Sequence, residues 1–179
     1  MRTPPALAIA LVLSATLTMI SAAEPAAKGA APLDLSAKGV QRLEVSQSQI
    51  GFTSTRVFYT LGERHLVLVL HVDNTRKEFP VTGKVVQFAD DVPPEALAKW
   101  VNNQHSDGLY PDVPQPKSVV DLPAQACRSQ ASKLLGQKQV LNTTYNEYRV
   151  EIELAETKAN DQLQLRSFKD AVKVYVGAK

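Results

Sequence analysis

The chain has 179 residues, 44% hydrophobic and 21% charged, with one Cys, eight Gly and eleven Pro. That composition excludes collagen-like, coiled-coil and wholly disordered architectures, and a lone Cys excludes an internal disulfide framework and a multi-thiolate metal site. The formal net charge of +2 is too balanced for an electrostatic footprint on nucleic acid, so no nucleic-acid partner is expected.

Met1 to Pro5 is a short, positively charged opening, and Ala6 to Ile20 carries no charge. Ser21-Ala22-Ala23 then supplies small residues ahead of Glu24-Pro25. This is the pattern of a secretory signal peptide, residues 1–23, cleaved after Ala23. Ala6 to Ala23 sits at the short limit for a spanning helix, and no Cys follows the cleavage site to carry a lipid. The mature protein is therefore expected to be exported and soluble, periplasmic or secreted, with no stable membrane insertion. Residues 24–39, rich in Ala and Pro without period, read as a flexible leader. Residues 40–179 then form a single globular domain, long enough to bury a core without staples.

Within that domain Thr53–Thr60 has a strand pattern, with Val57 and Tyr59 on one face. Leu66–Val72 is a nearly continuous apolar run, predicted to be a central strand covered on both sides. Phe79–Phe88 returns as a third strand, and Pro80 and Gly83 predict an edge position or a bulge there. Asp90 or Asp91 can cap a helix with Pro93 and Glu95 in its first turn and Ala96, Leu97, Trp100 and Val101 on one face. After a Pro-bearing loop over 104–117, Asp121 and Pro123 predict a second helix over Ala124–Leu135 that ends at Gly136. On it Cys127, Ala131, Leu134 and Leu135 would share a core face.

The last third alternates again. Val150, Ile152 and Leu154 face one way, Leu163 and Leu165 repeat the pattern, and Val172, Val174 and Val176 complete it. A turn is expected at Lys158–Asp161, and Glu151 and Glu153 are candidates to lie across from Lys173.

The order is a β-meander, two short helices around a long loop, and a second β-meander. The fold class expected is mainly β, an antiparallel sandwich in which the two groups of strands cover each other's apolar faces. The alternative is an α+β domain, a single sheet with both helices on one face. The run from His65 to Phe88 (HLVLVLHVDNTRKEFPVTGKVVQF) resembles the middle hairpin of immunoglobulin-like sandwich domains of exported proteins. The paired Cys and intervening Trp of antibody domains are absent. The resemblance implies a fold and no function.

The densest polar cluster is Asn102 to Asp112, which holds His105, Asp107, Tyr110 and Asp112. Those residue types in a loop suit a partner-binding surface, and they also suit a turn formed for backbone reasons alone. An alternative chemistry makes His105 a general base oriented by Asp107 or Asp112, as in a small hydrolase, with or without a metal. His65 and His71, about 20 Å apart at strand rise, are too distant to share a metal and read as strand-end residues. Cys127 reads as a buried, inert thiol and Trp100 as a core anchor. Asn142-Thr143-Thr144 matches the N-glycosylation triplet. No phosphate loop, HExxH or EF-hand series is present, so no cofactor is expected.

The function these features support is a non-enzymatic exported domain that binds a protein or cell-envelope partner through the 104–117 loop. A third reading is a structural module whose Phe79–Phe88 edge pairs with another chain.

Overall fold

The computed structural model describes residues 31–46, 51–104 and 112–178. The stretch read as a signal peptide lies outside them. Strands β1 (Gln41–Ser46), β2 (Ser54–Leu61), β3 (Leu66–Asp73), β4 (Val81–Gln87) and β5 (Ser118–Asp121) form one antiparallel sheet in chain order. Strands β6 (Cys127–Val140), β7 (Thr143–Leu154) and β10 (Phe168–Gly177) form a second sheet, ordered β10-β7-β6, and β8 (Thr157–Asn160) pairs with β9 (Leu163–Leu165). Between β4 and β5 runs the α-helix α1 (Pro94–Asn103). The described chain is thus mainly β, with antiparallel sheets and one α-helix.

The apolar run of β3 is explained by burial on both faces. Leu66, Leu68, Leu70 and Val72 share a core with Val57 and Tyr59 of β2 and with Val150, Ile152, Val172 and Val174 of the second sheet. Val67 and Val69 point the other way. With Phe58, Val86 and Phe88 they pack under Leu97, Trp100 and Val101 of α1. Phe88 and Trp100 meet edge to face at 5.4 Å, a favoured aromatic geometry.

Side chains of β1 close the gap between the sheets. The Arg42 guanidinium donates to Asp170 at 2.6 Å and to the Ala171 carbonyl at 3.1 Å, and Glu44 accepts the Lys173 amide at 2.8 Å. They satisfy backbone groups on the side of β10 that has no strand partner.

Several expectations are corrected. The second helix does not form: a single 3-10 turn at Ala124–Ala126 leads directly into β6. Cys127 is buried, but Leu134 and Leu135 are half exposed, and Ala131 is exposed too, so the four share no core face. The spacing that looked helical belongs to a strand whose two faces are largely wet. Helix α1 is entered through Pro93 with no capping side chain, so neither Asp90 nor Asp91 serves as its cap. Strand β4 is not an edge; it lies between β3 and β5 in unbroken register. Pro80 sits just ahead of it, and Gly83 gives way to the neighbouring core: a Cβ there would meet Cys127 Sγ at 2.8 Å and Leu122 at 2.9 Å. Lys173 stands opposite Arg149 and pairs with Glu147 at 3.3 Å, while Glu153 pairs with Arg128 and Lys169. The turn expected at Lys158–Asp161 falls at Asp161–Gln162, because Lys158 to Asn160 belong to β8. Leu33 and Leu35, within the stretch read as leader, are buried, and the Leu33 amide donates to the Gln164 carbonyl at 2.8 Å.

Candidate functional site

The face of the five-stranded sheet that carries α1 is not apolar to its end. Residues two apart on a strand share a face, and register sets their neighbours. Arg56, His71 and Thr82 therefore form one row across β2, β3 and β4. Phe58, Val69, Lys84 and Asp121 form the next row. The helix covers Phe58 and Val69 and stops at Asn103, so the row of Arg56 and His71 is left beyond its end. What results is a cleft of about 510 Å³, floored by Phe58, Val69 and Trp100 and walled by Arg56, His71, Lys84 and Gln104. Its size falls in the range of ligand pockets.

Arg56 is half-buried and donates from Nη1 to the Gln104 carbonyl at 3.3 Å. That contact puts a cation at the negative end of α1, where the helix dipole favours it, and holds the first residue of the 104–117 segment against the sheet. His71 is half-buried as well. Burial pushes its imidazole below the usual histidine range, Arg56 and Lys84 push it further, and Asp73 opposes them. Among the described residues neither Arg56 nor Lys84 forms an ion pair. Asp73, on the same strand as His71, is instead engaged by the amide and hydroxyl of Thr75 at 2.9 and 2.6 Å.

Of the residues singled out from sequence, His105, Asp107 and Tyr110 lie outside the described residues. Asp112 is described and exposed, and the 112–117 stretch leads into β5 with Val113 against the helix-side core. His65 is no strand residue. It ends a 3-10 turn in the left-handed region (φ 49°), and its Nδ1 lies 2.9 Å from the Val92 carbonyl. Trp100 is buried in the helix-side core, and the same ring forms part of the cleft floor. Cys127 has its thiol pushed up to about 11 by burial. Asn142 is exposed in the β6–β7 turn.

Sequence reading missed the joint role of Arg56, His71 and Lys84. The available signal was a charged interruption on the same face of three successive strands, each two residues beyond an apolar position on that face or its neighbour.

Other polar groups serve the scaffold. Tyr59 donates to Asp170 at 2.5 Å, and burial together with that bond raises its phenol well above the usual range. Among the described residues no group of three His, Cys, Asp or Glu side chains is placed to hold a metal ion. No helix among them is long and apolar enough to cross a membrane. A second concavity of about 710 Å³ lies between residues 32–41 and the start of α1, where Asp34, Glu63 and Glu95 outnumber Lys38 and Arg64 by one charge.

Comparison with protein-family models, with curated proteins and with solved structures gives no match to this chain.

Proposed function

We propose that this chain is an exported, soluble, non-enzymatic binding module, built as an antiparallel β-sandwich of the immunoglobulin-like kind. Its partner is a protein or another component of the cell envelope. The 104–117 segment and the cleft at its root together form the docking surface.

The observation that carries this reading is the cleft itself. Three basic side chains stand over an aromatic floor at the point where the 104–117 segment leaves α1. Folding does not call for such a grouping, because among the described residues neither Arg56 nor Lys84 forms an ion pair that would stabilise the sheet. Export rests on the charged, apolar and small-residue order of residues 1–23. Pro111, Pro114 and Pro116 in the segment lower the entropy lost when it docks.

The test has two parts. Expression of the full chain should yield a processed protein outside the cytoplasm whose first residue is Glu24. The processed protein should capture a defined component from envelope extract. Replacing residues 105–111 by a Gly-Ser stretch of equal length, or reversing the charge at Arg56, should abolish that capture. Equal capture by all three proteins would remove this surface from the function.

A further inference from the structure

The cleft is more specific than a generic docking surface, and its chemistry names a ligand class. The inference rests on the binding-module reading and goes beyond it. We propose that the cleft binds an oxyanion, a carboxylate or a phosphate, carried on a flat apolar body.

The charge count favours cations. Arg56 from β2, His71 from β3 and Lys84 from β4 line the cavity, against the single acidic side chain of Asp121 among the described lining residues. The acidic groups near His71 are Asp73 on its own strand and Asp121 on β5. Asp73 spends one carboxylate oxygen on Thr75, and Asp121 is exposed at the rim opposite Lys84 without forming an ion pair with it. Arg56 has several N–H donors, yet the side-chain bond it makes among the described residues goes to one neutral carbonyl. A guanidinium held in place with donors to spare is the side chain best suited to grip a planar oxyanion through two parallel bonds.

The apolar rim sets the other half of the ligand. Phe58 and Val69 are buried at the base of the cavity and Trp100 is only 7% exposed, so the open apolar surface comes chiefly from Pro123 and Ala124 beside them. A flat hydrocarbon group laid there displaces water, and its removal strengthens the ion pairs above it. A bare inorganic anion would leave the apolar rim wet, and a neutral hydrocarbon would leave the cations unmatched. Only a molecule with both parts uses both surfaces. Such a group can reach the cleft as a free small acid or as the end of a polypeptide, for instance an aromatic residue bearing a terminal carboxylate.

Titration of the processed full-length protein, followed by Trp100 fluorescence and the His71 imidazole NMR signal, tests this. Phenylacetate and phenyl phosphate should bind about tenfold or more tightly than 2-phenylethanol, since a charge-assisted pair of bonds is worth at least that factor. Phenethylamine should not bind. Either anion should move the His71 titration to higher pH. Arg56→Gln and Lys84→Gln, both at partly exposed positions and so compatible with folding, should each weaken the anions about tenfold while leaving 2-phenylethanol unchanged. N-acetyl-Ala-Phe with a free carboxylate, set against its amide, separates the sources. Tighter binding of this peptide than of phenylacetate points to a polypeptide end, and the reverse points to a small acid.

Equal binding of phenylacetate and 2-phenylethanol, or anion binding unaffected by either substitution, would overturn the proposal. Envelope capture by a chain whose cleft ignores both anions would refute the oxyanion alone. Anion binding without any envelope partner would refute the docking reading and leave the oxyanion site standing.

Discussion

Strands β3 and β6 have comparable claims to be called strands, yet their surroundings are opposite. The eight residues of β3 are buried on both faces except at His71 and Asp73. The fourteen residues of β6 are almost all exposed, and only Cys127, at the root, is buried. Strand β3 has a hydrogen-bonded neighbour on each side, whereas β6 pairs with β7 alone and carries irregularities at Ser129/Ala131 and Leu134/Gly136. Bulges of this kind twist a free edge away from unwanted partners. The difference shows that β3 is specified by what it buries, while β6 is specified by the strand beside it. Mutations should therefore act through packing in one and hardly at all in the other.

The largest effect is expected from Leu68→Ala, in the centre of β3. Leu68 is 1% exposed and lies in the core between the two sheets. Removal should cost about 2–5 kcal/mol, seen as a lower urea midpoint with an unchanged slope. A loss as small as that of a surface substitution would show that the sheets do not close on each other. Next comes Gly83→Ala, where β4 meets the root of β6. The added methyl would lie under 3.0 Å from Cys127 Sγ and from Leu122, and such overpacking costs about 1–3 kcal/mol. Adding Cys127→Ala should recover part of that loss, so the double variant should be less destabilised than the sum of the singles.

The same contrast explains what could be read from the sequence. The three-strand meander, helix α1 with Leu97, Trp100 and Val101 on its buried face, and the strands through Val150 and Val172 were legible, because burial on a defined face imposes a period. Strand β6 was not. With both faces wet nothing enforces alternation, and Cys127, Ala131, Leu134 and Leu135 fell by chance at helical spacing. β1 was missed for a related reason, since its exposed first residues show no face. Pro80 and Gly83 pointed to an edge, because sequence shows the cost of such residues in a sheet and not the neighbours that require them. The cleft eluded the sequence because Arg56, His71 and Lys84 become adjacent only through the register of three strands.

His71 is, with Asp73, where β3 behaves like a surface strand, and pH should reveal it. The folded protein holds this imidazole below its ordinary value of 6.5, so below that pH the unfolded chain takes up the proton first. The contribution is fully present above pH 6.5 and is lost as pH falls through the lowered folded value. The urea midpoint should drop between about pH 7.5 and about pH 5.5, and His71→Gln should flatten that slope. An unchanged slope in the variant would assign the titration to another group. A drop on raising the pH would reverse the sign and place a net negative field around the ring.

The smallest effect is expected at the middle of β6. Leu134 stands opposite Tyr148 in the ladder, while Leu135 falls in the irregularity before Gly136, and they are 53% and 49% exposed. Leu134→Ser and Leu135→Ser should each change stability by no more than about 0.5 kcal/mol, since both side chains lie about half in solvent and outside the buried core. The two substitutions sample the paired and the irregular part of the strand, so together they test its solvent exposure directly. A loss approaching that of Leu68→Ala would mean that this edge is covered in solution, most simply by another copy of the chain. The urea midpoint would then rise with protein concentration in the parent and not in the variants, and β6 would have to be regrouped with β3 as a strand specified by burial.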